Sequence, residues 1–138
     1  MAVRWACKKG TAAVEFAILS PIYLMFLFGM IAYGIYLGAA HSVQQLASEA
    51  ARLSVAGLHE AERRDMALSF IASHAKGYGL VDPAKLQIDV ADSPSDASRF
   101  VVDLSYDARH LPIWNLFDGV VLPSTTIARR STVRIGGV

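Results

Sequence analysis

Cysteine is almost missing from this chain: Cys7 is the only one, and it sits near the start among Trp5, Ala6 and Lys8. A single thiol offers no internal disulfide, so whatever folds here is held by its core alone. Charge is missing from one long interval. Between Phe16 and Ala40 there is no Asp, Glu, Lys or Arg, and at ~1.5 Å per residue that interval is about 37 Å long as a helix, against a hydrocarbon core of about 30 Å. The stretch is therefore expected to cross a bilayer once, with some tilt. A surplus of charge of one sign is missing too, since the net charge is +1. Basic residues beyond the first ten alternate with acids, which gives no footprint for nucleic acid.

The motifs of catalysis are equally scarce. His59-Glu60 opens like the zinc-protease HExxH, but its fifth position is Arg63, so the second imidazole on that helical face is lacking. His41, His59, His74 and His110 are spread over different elements and read as structural or surface residues. There is no GxSxG, phosphate-cradling glycine loop or Cys-His pair. Asp89, Asp92 and Asp96 flank a Ser-rich turn and could supply oxygens to calcium, yet the glycine and spaced glutamate of a defined loop are absent. The expectation is a protein without catalytic residues, cofactor or metal.

What is present is organised around the stretch Gly10–Arg52. A basic leader with Arg4, Lys8 and Lys9 precedes Gly10; Glu15 and Phe16 follow five and six residues later, and then the apolar run begins. Positive residues favour the cytoplasmic side, so the N-terminus is expected inside and the residues beyond about 40 exported. An acid at the centre of a membrane helix costs about 2.5–3.5 kcal/mol, less near the interface, and one at a helix N-terminus gains from the macrodipole. Position thus makes Glu15 tolerable, either as a functional residue or as a carboxylate solvated at headgroup level.

Within the run, Pro21 removes a backbone hydrogen bond and is expected to bend the helix. Gly34, Gly38 and Ser42 recur every fourth residue, a line of small side chains that admits another helix backbone or is merely common to single-pass helices. Tyr23, Tyr33 and Tyr36 are interface anchors or packing residues, with packing preferred for Tyr33. Beyond the run the helix continues, with Val43, Leu46, Ala50 and Leu53 on one face, and Gly57 ends it. A second amphipathic helix is expected over about 58–76, burying Met66, Phe70, Ile71 and His74.

From Pro83 the period changes to two. Leu86, Ile88 and Val90 alternate with polar residues, as do Phe100, Val102, Leu104 and Tyr106 after the SPSDAS turn, which predicts a hairpin. Ile113, Trp114, Leu116 and Phe117 form a short apolar flap. A last strand over about 125–135 carries Ile127, Val133 and Ile135 inward and is interrupted by Arg129. Arg129, Arg130 and Arg134 make a basic patch that a solvated strand face explains. The fold class expected is α+β. A long N-terminal transmembrane helix runs on into an exported amphipathic helix, followed by a second helix and a small three-stranded antiparallel sheet. The segments are a basic leader (1–10), a transmembrane helix (11–40) and an exported head (41–138).

The leader, Gly10, Glu15 and Phe16 together are similar to a type IV prepilin processing site. More narrowly, GTAAVEFAILSP, Phe28-Gly29 and the ASEAAR of Ala47–Arg52 resemble the TadE-like pseudopilins of tight-adherence pilus systems. The likeness is close over the first third of the chain and covers only the order of elements beyond. Ala32 departs from it, standing where many relatives carry an acid. The resemblance implies cleavage between Gly10 and Thr11 by a prepilin peptidase, with Glu15 pairing with the new amine of a neighbouring subunit. It implies other pilins and a membrane assembly platform as partners, the bacterial inner membrane as location, and a pilin-like head. Two other readings stand beside this one: an uncleaved single-pass anchor or adaptor, which shares nearly all these features, and a secreted binding domain released by a cut after Ala40, which the small Gly38 and Ala40 allow but which needs neither Glu15 nor an apolar run longer than the usual ~7–15 residues.

Overall fold

The computed structural model of the protein describes residues 8–116 and 121–135. Its first element is one unbroken helix, α1 (Lys8–Ser54), of 47 residues. Ala, Leu, Ile and Met dominate its early turns, and no carboxylate or hydroxyl cluster competes for its backbone in the apolar run. Pro21 lies inside α1 without ending it. The helix stops where Ser54, buried, donates its hydroxyl to the Ala50 carbonyl at 2.6 Å. A tight turn then brings Gly57 against α2 (Glu60–His74).

Gly57 is needed for close approach. A Cβ there would lie 2.8 Å from both the backbone N and the Cγ of Arg63. Glu60 and Glu62 occupy the first turn of α2, where the helix dipole favours acids, and Glu62 reaches back to accept the Leu58 N–H at 2.8 Å.

The buried stripe of α2 is Arg63, Ala67 and Ile71, followed by Ala75 in a 3-10 turn (Ala75–Gly77). This corrects the expected stripe. Met66 and Phe70 are half-buried and His74 is exposed, its ring stacked on Phe70 at 4.2 Å. On α1 the same correction applies to Leu53, which is exposed, while Ala47, Ala51 and Ser54 are buried. Both shifts have one cause. Where α1 and α2 meet, small side chains let the backbones approach, and the bulkier apolar residues beside them are turned outward.

After a second 3-10 turn (Pro83–Lys85), strand β1 (Leu86–Ser93) pairs antiparallel with β2 (Asp96–Asp107), and β2 with β3 (Thr126–Arg134), in the order β1-β2-β3. Ile88 faces Leu104 and Val90 faces Val102, the register that the period-two pattern requires. Val90, Phe100, Val102, Leu104, Tyr106 and Ile127 are buried on one face of the sheet, against α1 and α2. Ile88 is exposed near the edge, and Val133 and Ile135 are half-buried. The other face is polar: Arg130 lies opposite Asp103 in the register and binds it through two nitrogens, the shortest contact being 2.6 Å. A third 3-10 turn (Pro112–Asn115) packs Ile113 into the core, as the apolar flap predicts. Phe117 lies outside the described residues.

Candidate functional site: an uncovered helix and its collar

The head does not enclose α1; it grips only the second half. From Gly10 to Ile31 the side chains are exposed except at Ser20 and Gly29. Phe16, Ile18, Tyr23, Phe26 and Met30 stand among the exposed bulky apolar residues of this stretch. From Ala32 the helix becomes the spine of the head, with Ala32, Tyr36, Ala39, Ala40, Val43, Leu46 and Ala50 buried. Among the described residues α1 is the one helix long and apolar enough to cross a membrane. The bare part, 10–31, is about 33 Å long at ~1.5 Å per residue, close to the hydrocarbon thickness.

A collar closes around α1 at the lower end of the head. Tyr36 donates its hydroxyl to the Ser124 carbonyl at 3.0 Å, and its ring meets that of Trp114 edge-on at 6.1 Å. Trp114 in turn donates its indole N–H to the Ala108 carbonyl at 2.6 Å, which fixes the turn after β2. Tyr106, buried at the end of β2, accepts from the Asp82 N–H at 3.1 Å and so holds the segment that leads into β1. Burial first, and then the nearby carboxylates, raise the Tyr106 pKa, so its hydroxyl stays protonated. Tyr78 donates to Glu49 of α1 at 3.1 Å. None of these links was foreseen from the sequence, because all but the Trp114–Ala108 bond join residues far apart in the chain and no local pattern marks them.

The far end of the head is closed by a different device. Arg63, with a side chain 7% exposed, binds Asp92 at 2.7 Å, lies over the Phe100 ring at 5.9 Å and donates to the Gly57 carbonyl at 3.3 Å. Asp92 is thereby engaged by α2, and Asp96 accepts from the Ser98 N–H and hydroxyl. Both acids of the Ser-rich turn thus have protein donors. Among the described residues no group of three His, Cys, Asp or Glu is placed to hold a metal.

The residues singled out in the sequence fall into two groups. Gly10, Thr11, Glu15, Phe16 and Pro21 all lie on the bare half of α1, and their side chains are exposed where they have one. Gly10 is helical, in the first turn of α1, and a Cβ there would meet nothing within 4 Å. Gly34, Gly38 and Ser42 sit at the collar, and they differ. Gly34 faces open space, whereas a Cβ on Gly38 would come 2.6 Å from Leu80 Cδ1 of the same chain. Ser42 turns its hydroxyl back onto the Gly38 carbonyl at 2.9 Å. Ala32, where the resemblance leads one to expect an acid, is covered by the head, a place where a carboxylate would need a partner.

Residues 10–52 match the family described as TadE-like protein. No curated protein and no solved structure matches the chain. The matched segment contains the bare apolar helix, Gly10, Glu15 and nearly all of the spine that the head grips, so the similarity to TadE-like proteins covers the helix of membrane-spanning length and stops at residue 52, before the rest of the head.

Proposed function

We propose that this protein is a minor pilin or pseudopilin of a tight-adherence pilus or related secretion fibre, made as an inner-membrane precursor. The observation that carries this reading is a membrane-length apolar helix running without a break into the spine of a small head, within the TadE-like segment. The role is structural. In the bilayer, lipid covers residues 10–31; in a fibre, the helices of fellow subunits cover the same surface, so transfer between the two leaves it buried throughout. The basic residues before Gly10 keep that end cytoplasmic and the head on the outer side.

In this proposal a prepilin peptidase cuts after Gly10, and the amine of Thr11 pairs with Glu15 of a neighbour during assembly on a membrane platform. Gly10 lies in the first helical turn, and terminal turns fray readily, so local unwinding suffices to present the bond. The same helical placement favours a second reading, an uncleaved anchor or adaptor in the assembly complex. Release by a cut after Ala40 is disfavoured: it would sever α1 inside its buried stretch and remove Tyr36 and Ala39 from the core.

The test is the intact mass and N-terminal residue of the protein from its native membrane, with and without the peptidase. A chain beginning at Thr11 only when the peptidase is present supports the pilin reading. An unprocessed chain in both strains leaves the permanent anchor.

A further inference from the structure

We infer that the lower end of the head is itself a lipid-binding surface, resting on the outer leaflet of the bilayer that α1 spans. The inference rests on single-pass anchoring by α1 and goes beyond it, since an anchored head need not touch the membrane. Here the geometry leaves it no clearance. The bare part of α1 is about 33 Å long, roughly the hydrocarbon thickness, and the head begins at the next residue, Ala32, with no linker and no break in the helix. The interfacial zone adds roughly 5–8 Å on each side, which is the level of Tyr33 and Tyr36.

Chain topology identifies which loops lie at that level. β2 descends from the Asp92–Arg63 end to the Tyr106–Leu80 end, and the segment after it is tied to Tyr36 through Trp114 and Ser124. Among the described residues, the apolar side chains of this end that the core does not absorb include Leu116, Val121 and Leu80, the last two 98% and 42% exposed. Tyr33 and Leu37 of α1 are also exposed, at the level where the head begins. Aromatic residues with one polar and one apolar end are favoured at the membrane interface, and Tyr33, Tyr36 and Trp114 are neighbours here. Lys85 and Arg109 belong to the same end of the head, at the approaches to β1 and from β2, each beside a carboxylate of its own chain, Asp82 and Asp107, so neither carboxylate stands uncompensated toward the headgroups. A lipid surface accounts for bulky apolar loop residues next to an apolar span, which water does not.

The chain's single cysteine makes the test direct. In full-length protein carrying Cys7→Ser, an environment-sensitive fluorophore is placed at Val121→Cys, at Met25→Cys within the bare helix, or at Ser95→Cys in the opposite turn. Each variant is reconstituted in phosphatidylcholine–phosphatidylglycerol vesicles. The expected result is that the label at 121 is quenched by lipids brominated near the headgroup and is several-fold less accessible to aqueous iodide than the label at 95, while the label at 25 is quenched by deeply brominated lipids. A label at 121 as open to iodide as that at 95, with the label at 25 still in lipid, overturns the inference and leaves the anchoring intact. Shielding of 121 from iodide without quenching by lipid bromine also overturns it, pointing to a second protein chain as the cover. A label at 25 that is open to iodide overturns the anchoring itself, and the inference with it.

Discussion

Tyr36 donates a hydrogen bond from its hydroxyl to the carbonyl of Ser124, 88 residues further along the chain. That bond fastens the segment leading into β3 to the helix just above its bare part. Removing the hydroxyl by Tyr36→Phe is expected to lower stability by about 0.5–1.5 kcal/mol, the usual net value of one hydrogen bond. Tyr36→Ala also removes the ring from Trp114 and is expected to cost about 3–5 kcal/mol. Denaturant midpoints of the full chain in detergent, followed by Trp fluorescence, measure both; equal effects would show that the hydroxyl carries all the holding.

The Arg63–Asp92 pair is expected to respond asymmetrically. Asp92→Ala strands a guanidinium whose side chain is 7% exposed, a loss of about 3 kcal/mol, whereas Arg63→Met keeps the packing of the stem and leaves a carboxylate that is 24% exposed and can take up water. The second change is expected to cost about 1 kcal/mol. Unfolding curves for the two single variants decide the order, and Arg63→Met as the more damaging change would contradict it.

Three glycines on or beside α1 are expected to tolerate alanine in a fixed order. Gly57→Ala drives a methyl into the Arg63 backbone and is destabilising by more than about 1 kcal/mol. Gly38→Ala meets only the end of the Leu80 side chain, which can rotate, so its cost is smaller. Gly34→Ala meets nothing and gains up to about 1 kcal/mol from helix propensity. Thermal unfolding of the three variants is the check.

Acid is expected to loosen the collar end of the head. The side-chain nitrogens of Arg109, and then its backbone N–H, hold the Asp107 carboxyl well below the usual carboxylate range. Because the folded pKa is the lower one, its contribution is fully present above the carboxylate range of the unfolded chain and is lost as pH falls through the folded value. The urea midpoint is therefore expected to fall between about pH 4 and pH 2, and Asp107→Asn to flatten part of that fall. An unchanged acid limb in Asp107→Asn would place the sensitivity elsewhere, with Asp96, lowered by its Ser98 hydrogen bonds, the next carboxylate to replace.

The strands and the long helix were legible because each is announced by a local period. Ile88 and Val90 on β1 pair with Leu104 and Val102 on β2 as their alternation requires, and the charge-free run lies wholly within α1. Burial within the helices was less legible. The apolar pattern selects Leu53, Phe70 and His74, but close helix packing selects Ala51 and Ala67, since it is small size that lets two backbones approach, while Arg63 is buried through its polar partners. Arg63 was hidden for a further reason: its partner Asp92 is 29 residues away in a turn that, read alone, suggested cation binding. In the candidate site, Gly10, Glu15 and the apolar helix were visible in the sequence, whereas the collar of Tyr36, Trp114 and Ser124 exists only once the chain has folded.

The unbroken course of α1 turns the molecule into a lever. With no joint between anchor and spine, a change in the anchor's tilt is carried whole to the far end of the head. From Ala32 to Ser54 the spine is about 33 Å long, so a tilt change of ~10°, well within what membrane helices adopt, sweeps the loop at Val55 sideways by about 6 Å. Whatever sets the inclination of residues 10–31, whether bilayer thickness or a neighbouring helix, thereby aims the opposite end of the protein.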